Sequence, residues 1–478
     1  MKIKKITIKN FRLFAPDIAF EVNDIKIPDQ KNEGSGLTVF VGENGCGKTT
    51  LLNAMALPLL SYKADSFSIN DFNDPTQKTS IEILAENVFD VAGTMPNSTF
   101  RSKGLLFEAG VRARGNKAYL SSIVVSDQRF IKAIQEKPKD GSPDLRVNVN
   151  NPFKGKRFDE NDILFLDKNR TFQIRSGTYN STRFDRLMED FDYQYIKKQE
   201  SIQDLNENFD EIKKNIKNDL LADTVEKFRE ISGSRITLNV VDNWRPFSKG
   251  FFAEKKENNL LVNLNMLGSG YEMIFSLIYS FYLSKQSGKQ LIAFIDEPEL
   301  HLHPSLQGDL VKFLLEISKE SQIILTSQSP LFIKQLSYNK GVCIYIFQKN
   351  NGKPELVTMD ERVLPYVSAN EINYLAFGLP TAEFHNELYG FIQTKAIDED
   401  ENNAKELNFD GWLSTKGLQK NKDWVREVRG TAKPLEKRTA QTYIRNSIHH
   451  PENTHNKIYS DEELKNSIEK MIQLLRNL

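Results

Sequence analysis

Gly42-Glu43-Asn44-Gly45-Cys46-Gly47-Lys48-Thr49 is the stretch that decides how this chain is read. It fits the pattern G-x-x-x-x-G-K-[ST], and its neighbours give the context that pattern needs. Upstream, Leu37-Thr38-Val39-Phe40-Val41 is a short apolar run between Gly36 and Gly42, the mark of a buried strand. Downstream, Thr49 to Leu60 is rich in Leu and Ala and predicts a helix. In the order strand, loop, helix, such a loop turns its backbone N–H groups and a helix N-terminus toward phosphate. Gly42, Glu43, Asn44, Gly45, Cys46, Gly47, Lys48, Thr49 and Thr50 are therefore the expected contacts of a nucleotide such as ATP. Lys48 is the cation for the β- and γ-phosphates, and the Thr49 hydroxyl is a ligand for Mg²⁺.

Working outward, a second run ends in acid. Leu291-Ile292-Ala293-Phe294-Ile295 reads as a buried parallel strand and leads into Asp296-Glu297. Two adjacent carboxylates at the end of an apolar strand are costly unless they have work to do. Asp296 is the expected second partner of Mg²⁺, through water, and Glu297 the residue that orients or deprotonates an attacking water. Upstream, Leu267-Gly268-Ser269-Gly270 precedes an apolar helix from Met273. Ser269 and Gly270 at a helix N-terminus can bond a γ-phosphate, although Gly-Ser pairs before helices are also common caps.

The rest of the chain sets limits. It has 478 residues, for a prior of about three domains, and 39% of them are hydrophobic, enough for a real core. Lys+Arg and Asp+Glu are both 64, so a nucleic-acid or membrane surface must be a local patch. The two cysteines, Cys46 and Cys343, exclude a disulfide framework and fit a reducing, cytoplasmic setting. The N-terminus lacks the apolar core of a signal peptide, and no run is long enough to span a membrane. Ile323-Ile324-Leu325 and Cys343 to Phe347 are further strands separated by helical text, so an α/β fold with a parallel sheet is expected. Residues 1–95 and 236–358 are expected to form the two lobes of one head. Residues 96–235 read as an insertion or lid with a helical hairpin, on the spacing of Leu205, Phe209, Ile212, Ile216 and Leu220. After about residue 360 strand-like runs vanish, and 365–478 reads as a mostly α-helical domain.

Together these motifs resemble the ATP-binding-cassette ATPases of the RecF/SMC branch. Ile6-Thr7-Ile8-Lys9-Asn10-Phe11-Arg12 is similar to the opening strand and "NFR" turn of that branch, and Asp296-Glu297-Pro298-Glu299-Leu300-His301-Leu302-His303-Pro304 looks like the "DEPExxLHP" box of its OLD-like subgroup. The resemblance covers about residues 1–95 and 236–350. It implies an SMC-like P-loop head that dimerises, or forms a higher homo-oligomer, around ATP. Ser269 and Gly270 would then contact the nucleotide held by a second copy's Lys48. Where the branch usually carries a switch His, this chain has Thr326-Ser327-Gln328-Ser329-Pro330. Gln328 can bond phosphate or water but cannot titrate, so slow turnover is expected. Gln77, before the run Ile81 to Leu84, is the candidate for the Mg²⁺-sensing glutamine, and Arg170 a candidate phosphate contact. His301 and His303 lack a nearby third ligand for a metal.

In the last domain, Arg445-Asn446-Ser447-Ile448-His449-His450 resembles the R-x(4–6)-H motif of HEPN ribonucleases. An Arg to hold phosphate and His449 or His450 to move a proton suffice for metal-free RNA cleavage by the 2′-OH. The plainer reading is a helix C-terminus carrying cations. A basic run, Lys416, Lys420, Lys422, Arg426, Arg429, Lys433, Lys437 and Arg438, interleaved with Trp424 and Tyr443, reads either as a nucleic-acid surface or as a solvated helix face. No Toprim box follows residue 360. The whole most resembles the ATPase subunit of Septu anti-phage systems (PtuA), which works with a separate HNH nuclease. Two alternatives stand beside that: a self-contained HEPN ribonuclease toxin governed by its head, and a RecF-like repair ATPase that only binds DNA.

Overall fold

The computed structural model describes residues 2–59, 67–86, 98–102, 105–114, 117–126, 161–166, 221–232, 236–240, 251–255, 260–263, 269–286, 288–300, 302–350, 353–359, 362–428 and 430–478. The run at Leu205 to Leu220 and Arg170 lie outside them. The chain divides into two compact units, Met1–Val357 and Thr358–Leu478.

The first unit is α/β. It opens with β1 (Lys2–Lys9), β2 (Phe20–Val22), β3 (Leu37–Gly42) and helix α1 (Lys48–Ala56). Strands β4 (Thr79–Glu86), β5 (Ser98–Ser102), β6 (Leu105–Arg114), β7 (Lys117–Ser126) and β8 (Asn161–Leu166) follow, then α2 (Leu221–Ile231). A separate three-stranded sheet is made of β9 (Ile236–Val240), β10 (Phe251–Lys255) and β11 (Leu260–Asn263). Next come α3 (Ser269–Gln286), β12 (Gln290–Asp296), α4 (Pro304–Ile317), β13 (Gln322–Ser327), α5 (Pro330–Ser337), β14 (Cys343–Asn350) and β15 (Lys353–Thr358).

Two six-stranded sheets enclose the core. The first has the order β15-β14-β3-β13-β12-β8, and β14, β3, β13, β12 and β8 run parallel. Strands β3 and β13 are buried along their whole length, as the continuous apolar runs predict for a parallel sheet covered on both faces. The second sheet is antiparallel, β2-β1-β4-β7-β6-β5. Its β4 alternates buried and half-buried residues, with Ile81 and Ile83 turned inward opposite Ile8 and Ile6. Helix α1 fills the space between the sheets. Leu51, Leu52, Ala54, Met55 and Ala56 share one core with Ile6, Ile81, Phe40, Phe294 and Phe347. The helix ends four residues before Leu60, in a turn through Leu57.

The segment expected to be an insertion therefore contributes to both head sheets. Strands β5, β6 and β7 continue the sheet of β1 and β4, and β8 pairs in parallel with β12. A boundary at residue 95 would cut one sheet in two. Tyr119 to Val125 and Ile163 to Leu166 read as strand-like in the sequence, but the sheet each joins is set by partners distant in the chain.

The second unit holds α6 (Ala369–Phe377), α7 (Ala382–Glu399), α8 (Glu406–Thr415), α9 (Ala440–His449) and α10 (Asp461–Asn477). Phe384, Leu388, Ile392, Phe409, Leu413, Ile444, Ile468 and Met471 form its core. It is mostly helical, with one correction. From Lys422 on, the described part of the basic run lies not on a helix face but on a hairpin, β16 (Lys422–Val428) and β17 (Thr431–Arg438), turning at Gly430 with φ 74°, while Lys416 caps the end of α8.

Candidate active site

The parallel register brings four strand ends together. Asp296 of β12 pairs with Thr326 of β13, Thr326 with Phe40 of β3, and Gly42 with Phe347 of β14. The crevice outside the carboxyl ends of parallel strands is where α/β sheets hold ligands. The loop Glu43–Gly47 leaves β3 at this edge.

The loop needs its glycines. Gly42 has φ 145°, and a Cβ there would stand 2.9 Å from the carbonyl oxygen of Phe347. Gly47, at φ 120°, caps α1. Glu43, Asn44 and Gly45 are exposed at the apex, while Cys46, Lys48 and Thr50 are buried. The Lys48 ammonium donates to the carbonyls of Gly42 (2.6 Å) and Glu43 (2.8 Å) and to Cys46 Sγ (3.7 Å).

Thr49, one residue on, faces the acids. Its Oγ1 donates to Asp296 Oδ2 at 2.9 Å and lies 3.2 Å from Oδ1. Asp296 is fully buried and also accepts from Thr326 Oγ1 at 2.5 Å. Glu297 holds φ 50°, a left-handed conformation rare outside glycine, fixed by its N–H donating to Thr326. Gln328 Nε2 donates to Glu297 Oε1. Asp296, Glu297, Thr49 and Gln328, read separately from the sequence, thus lie in one hydrogen-bonded group.

Two members of that group were not singled out from the sequence. Thr326 bridges Asp296 and Glu297. Its one signal is a hydroxyl ending a fully buried strand. Glu299 is buried, and Oε1 accepts from Ser327 Oγ (2.8 Å), Gln328 N–H (2.8 Å) and Ser329 N–H (3.2 Å). Burial raises its pKa, the N–H of Gln328 opposes that rise, and the nearby Glu297 charge adds to it.

Other expected residues lie elsewhere. Ser269 and Gly270 open α3. Gln77 is exposed in the turn before β4. Its side-chain amide donates to Asp74 Oδ2 (2.9 Å), and its backbone carbonyl accepts from Asn10 Nδ2 (2.9 Å). That side chain is engaged with Asp74, on a loop of the antiparallel sheet, and not with Thr49 or Asp296. His303 caps α4 by accepting from Ser305 N–H, and His301 lies outside the described residues. Among the described residues no cluster of three or more His, Cys, Asp and Glu is arranged for a metal.

In the second unit, Arg445 Nη1 donates to Glu406 Oε2 (3.3 Å) and Asn446 Oδ1 (3.0 Å), with its guanidinium 6.0 Å from the Tyr389 ring centre. His449 ends α9, and its pKa is lowered by burial and by the charges of Arg445 and His450. His450 caps the helix and meets Glu452 at 3.3 Å. The basic run is largely neutralised. Lys416 pairs with Glu399, Lys420 with Asp410, Lys422 with Glu463, Lys437 with Asp423 and Arg438 with Glu436. Trp424 and Tyr443 are buried edge to face, 5.6 Å apart, and so are core rather than a stacking platform. Arg429 lies outside the described residues.

The chain is 22% identical over 445 residues to the endonuclease GajA of Bacillus cereus (strain HuB5-5), covering 76% of this chain and 63% of that protein. It is 26% identical over 356 residues to the OLD nuclease of Thermus scotoductus (strain ATCC 700910 / SA-01), covering 69% and 59%. It thus spans less than two thirds of the length of these relatives. A solved SMC head bound to the C-terminal winged-helix domain of ScpA aligns at 16% identity with a TM-score of 0.44, covering 76% of this chain and 98% of that one. No helix among the described residues is long and apolar enough to cross a membrane. The model of the AAA ATPase domain matches residues 1–183 and 168–333, more than half of the sequence, and the chain belongs to that family.

Proposed function

We propose that this ATPase binds ATP with Mg²⁺ at Gly42–Thr50 and uses the nucleotide state to gate nucleic-acid cleavage in anti-phage defence. The observation that carries the ATP site is the Thr49–Asp296–Thr326 group beside the glycine loop. The residues fit the ligand. Thr49 and Asp296 offer the hard oxygen donors that suit Mg²⁺, and a Cβ at Gly45 would meet nothing within 4 Å, so the loop's backbone stays approachable. Bound there, Mg²⁺ would neutralise phosphate charge. Lys48 is the phosphate cation, Glu297 takes the proton of the attacking water, and the Gln328 amide holds that water and Glu297 in line. A glutamine cannot move a proton, so turnover is slow and ATP acts mainly as a state signal. Ser269 and Gly270 complete the site of a second copy, which makes the working form a homodimer or larger. Lys48→Ala and Glu297→Gln test the site together: the first should lose ATP affinity, the second should keep it and lose turnover.

The cleavage role draws on the two nuclease relatives and on the resemblance to the Septu ATPase PtuA. In this reading a partner HNH nuclease cuts and the chain remains in the cytoplasm. The pairing of five of the eight cations of the basic run with carboxylates supports cutting by a partner. A second reading has one favourable observation: His449, its pKa lowered by burial and by the charge of Arg445 one turn away, is placed to accept the 2′-OH proton of RNA in a HEPN-like manner. Against it, Arg445 is already matched by Glu406. Purified protein with RNA, with and without EDTA, separates the two. Metal-independent cleavage lost in Arg445→Ala and His449→Ala would establish the second reading. No cleavage without an added metal-dependent nuclease would favour the first.

A further inference from the structure

Glu299 stands outside every role given so far. Burying a carboxylate costs several kcal/mol unless it is matched by donors, and an apolar side chain would fill the position without that cost. Its Oε1 takes three donors from one turn, Ser327 Oγ, Gln328 N–H and Ser329 N–H. Those two N–H groups fall between the end of β13 and the first turn of α5, where neither sheet nor helix supplies an acceptor. Its Oε2 is buried without a hydrogen-bond partner among the described residues, so the group is committed to that turn on one side only. Glu299 also shares a tight turn with Glu297, closed by Leu300 N–H donating to the Glu297 carbonyl (3.1 Å). Gln328 is therefore gripped twice from the same turn: its backbone by Glu299, its side-chain amide by Glu297.

We propose that Glu299 is a positioning residue for ATP hydrolysis, holding the Ser327–Ser329 turn so that the Gln328 amide meets Glu297. This rests on the ATP-site reading above and adds the residue that sets Gln328. Acting only through Gln328, Glu299 governs turnover and not nucleotide affinity. An ordinary structural carboxylate would instead act independently of Gln328.

The test is a double-mutant cycle on the full chain with MgATP, reading kcat, KM and the binding of a fluorescent ATP analogue. Glu299→Ala should lower kcat by about tenfold or more with KM and affinity near parental. Glu299→Gln keeps an acceptor oxygen at the turn and should recover most of that loss, which also guards against misfolding of the alanine variant. In a Gln328→Ala background, Glu299→Ala should cost less than about twofold further. Independent, additive losses would overturn the proposal, as would a loss carried by KM alone or a Gln328→Ala variant with parental kcat. Parental turnover that survives Lys48→Ala would overturn the underlying site as well. Turnover dependent on Lys48 and Glu297 with additive Glu299 and Gln328 losses would overturn only this step.

Discussion

At the scale of single residues, the candidate site is a set of oxygens and one ammonium held in place by hydrogen bonds to their neighbours. Lys48→Ala removes the one cation of the phosphate loop, and ATP affinity should fall by about 100-fold or more, read by equilibrium binding of a labelled nucleotide. Glu297→Gln should leave that affinity within a fewfold of parental while turnover drops below about 1%. Parental hydrolysis in this variant would remove Glu297 from the role of base. In the second unit, His385 is fully buried, its Nε2 is 2.9 Å from Ser467 Oγ, and burial drives its pKa to about 3. The unfolded chain takes up this proton near the ordinary 6.5, well before the folded chain, so the contribution is intact above about pH 6.5 and lost below it. Stability of this unit should fall by about 2 kcal/mol between pH 7 and 5. Chemical unfolding of a Trp244→Phe variant, followed by the fluorescence of Trp412 and Trp424, measures it, and His385→Asn should flatten the slope. The phosphate-loop residues and Asp296-Glu297 were legible because each is a contiguous motif beside an apolar run. Glu299 and Thr326 were not singled out, because their meaning lies in hydrogen bonds to residues about 30 positions away in sequence.

At the scale of elements, the strands with continuous apolar text were found close to their true bounds, since burial on both faces leaves no other reading. The hairpin β16–β17 was missed because it has almost no buried face, only Trp424 and Arg438, and its charges pair across and beyond the strands. Helix α8 was obscured by its polar sequence, yet Phe409, Asp410 and Leu413 form its buried face. The loop between β3 and α1 gives a sharp test of the fit between backbone and ligand. Gly42→Ala forces a side chain against Phe347 in a conformation L-residues avoid, at about 1–3 kcal/mol of strain. ATP affinity should drop by about tenfold or more, measured beside the melting temperature of the head. Unchanged affinity would mean that the loop's shape at Gly42 does not matter to binding.

At the scale of the whole molecule, strand-like texture gives way to amides and charge after about residue 360, and the structure divides after Val357. The sequence did not anticipate that Ser98–Ser102, Leu105–Arg114, Lys117–Ser126 and Asn161–Leu166 belong to the head sheets. Ser269→Arg tests the assembly: ATP binding by the monomer should persist while ATP-dependent dimerisation, read by sedimentation, is lost. Weakened monomer binding would move Ser269 into its own chain's site. One last consequence comes from helix α1, walled in by two sheets. A helix with no exposed residue, only Thr49 and Asn53 half-buried, has little room to fray outward, so its amides should meet deuterium only when the head opens as a unit. Exchange at Leu51 to Met55 should be as slow as at the centre of β3, and far slower than along exposed β17. The loop Glu43–Gly47 is then mounted on a slowly exchanging element, and under the proposed function ATP meets a cradle already set. Its arrival should sharpen protection at the Ser327–Ser329 turn and leave that of α1 unchanged.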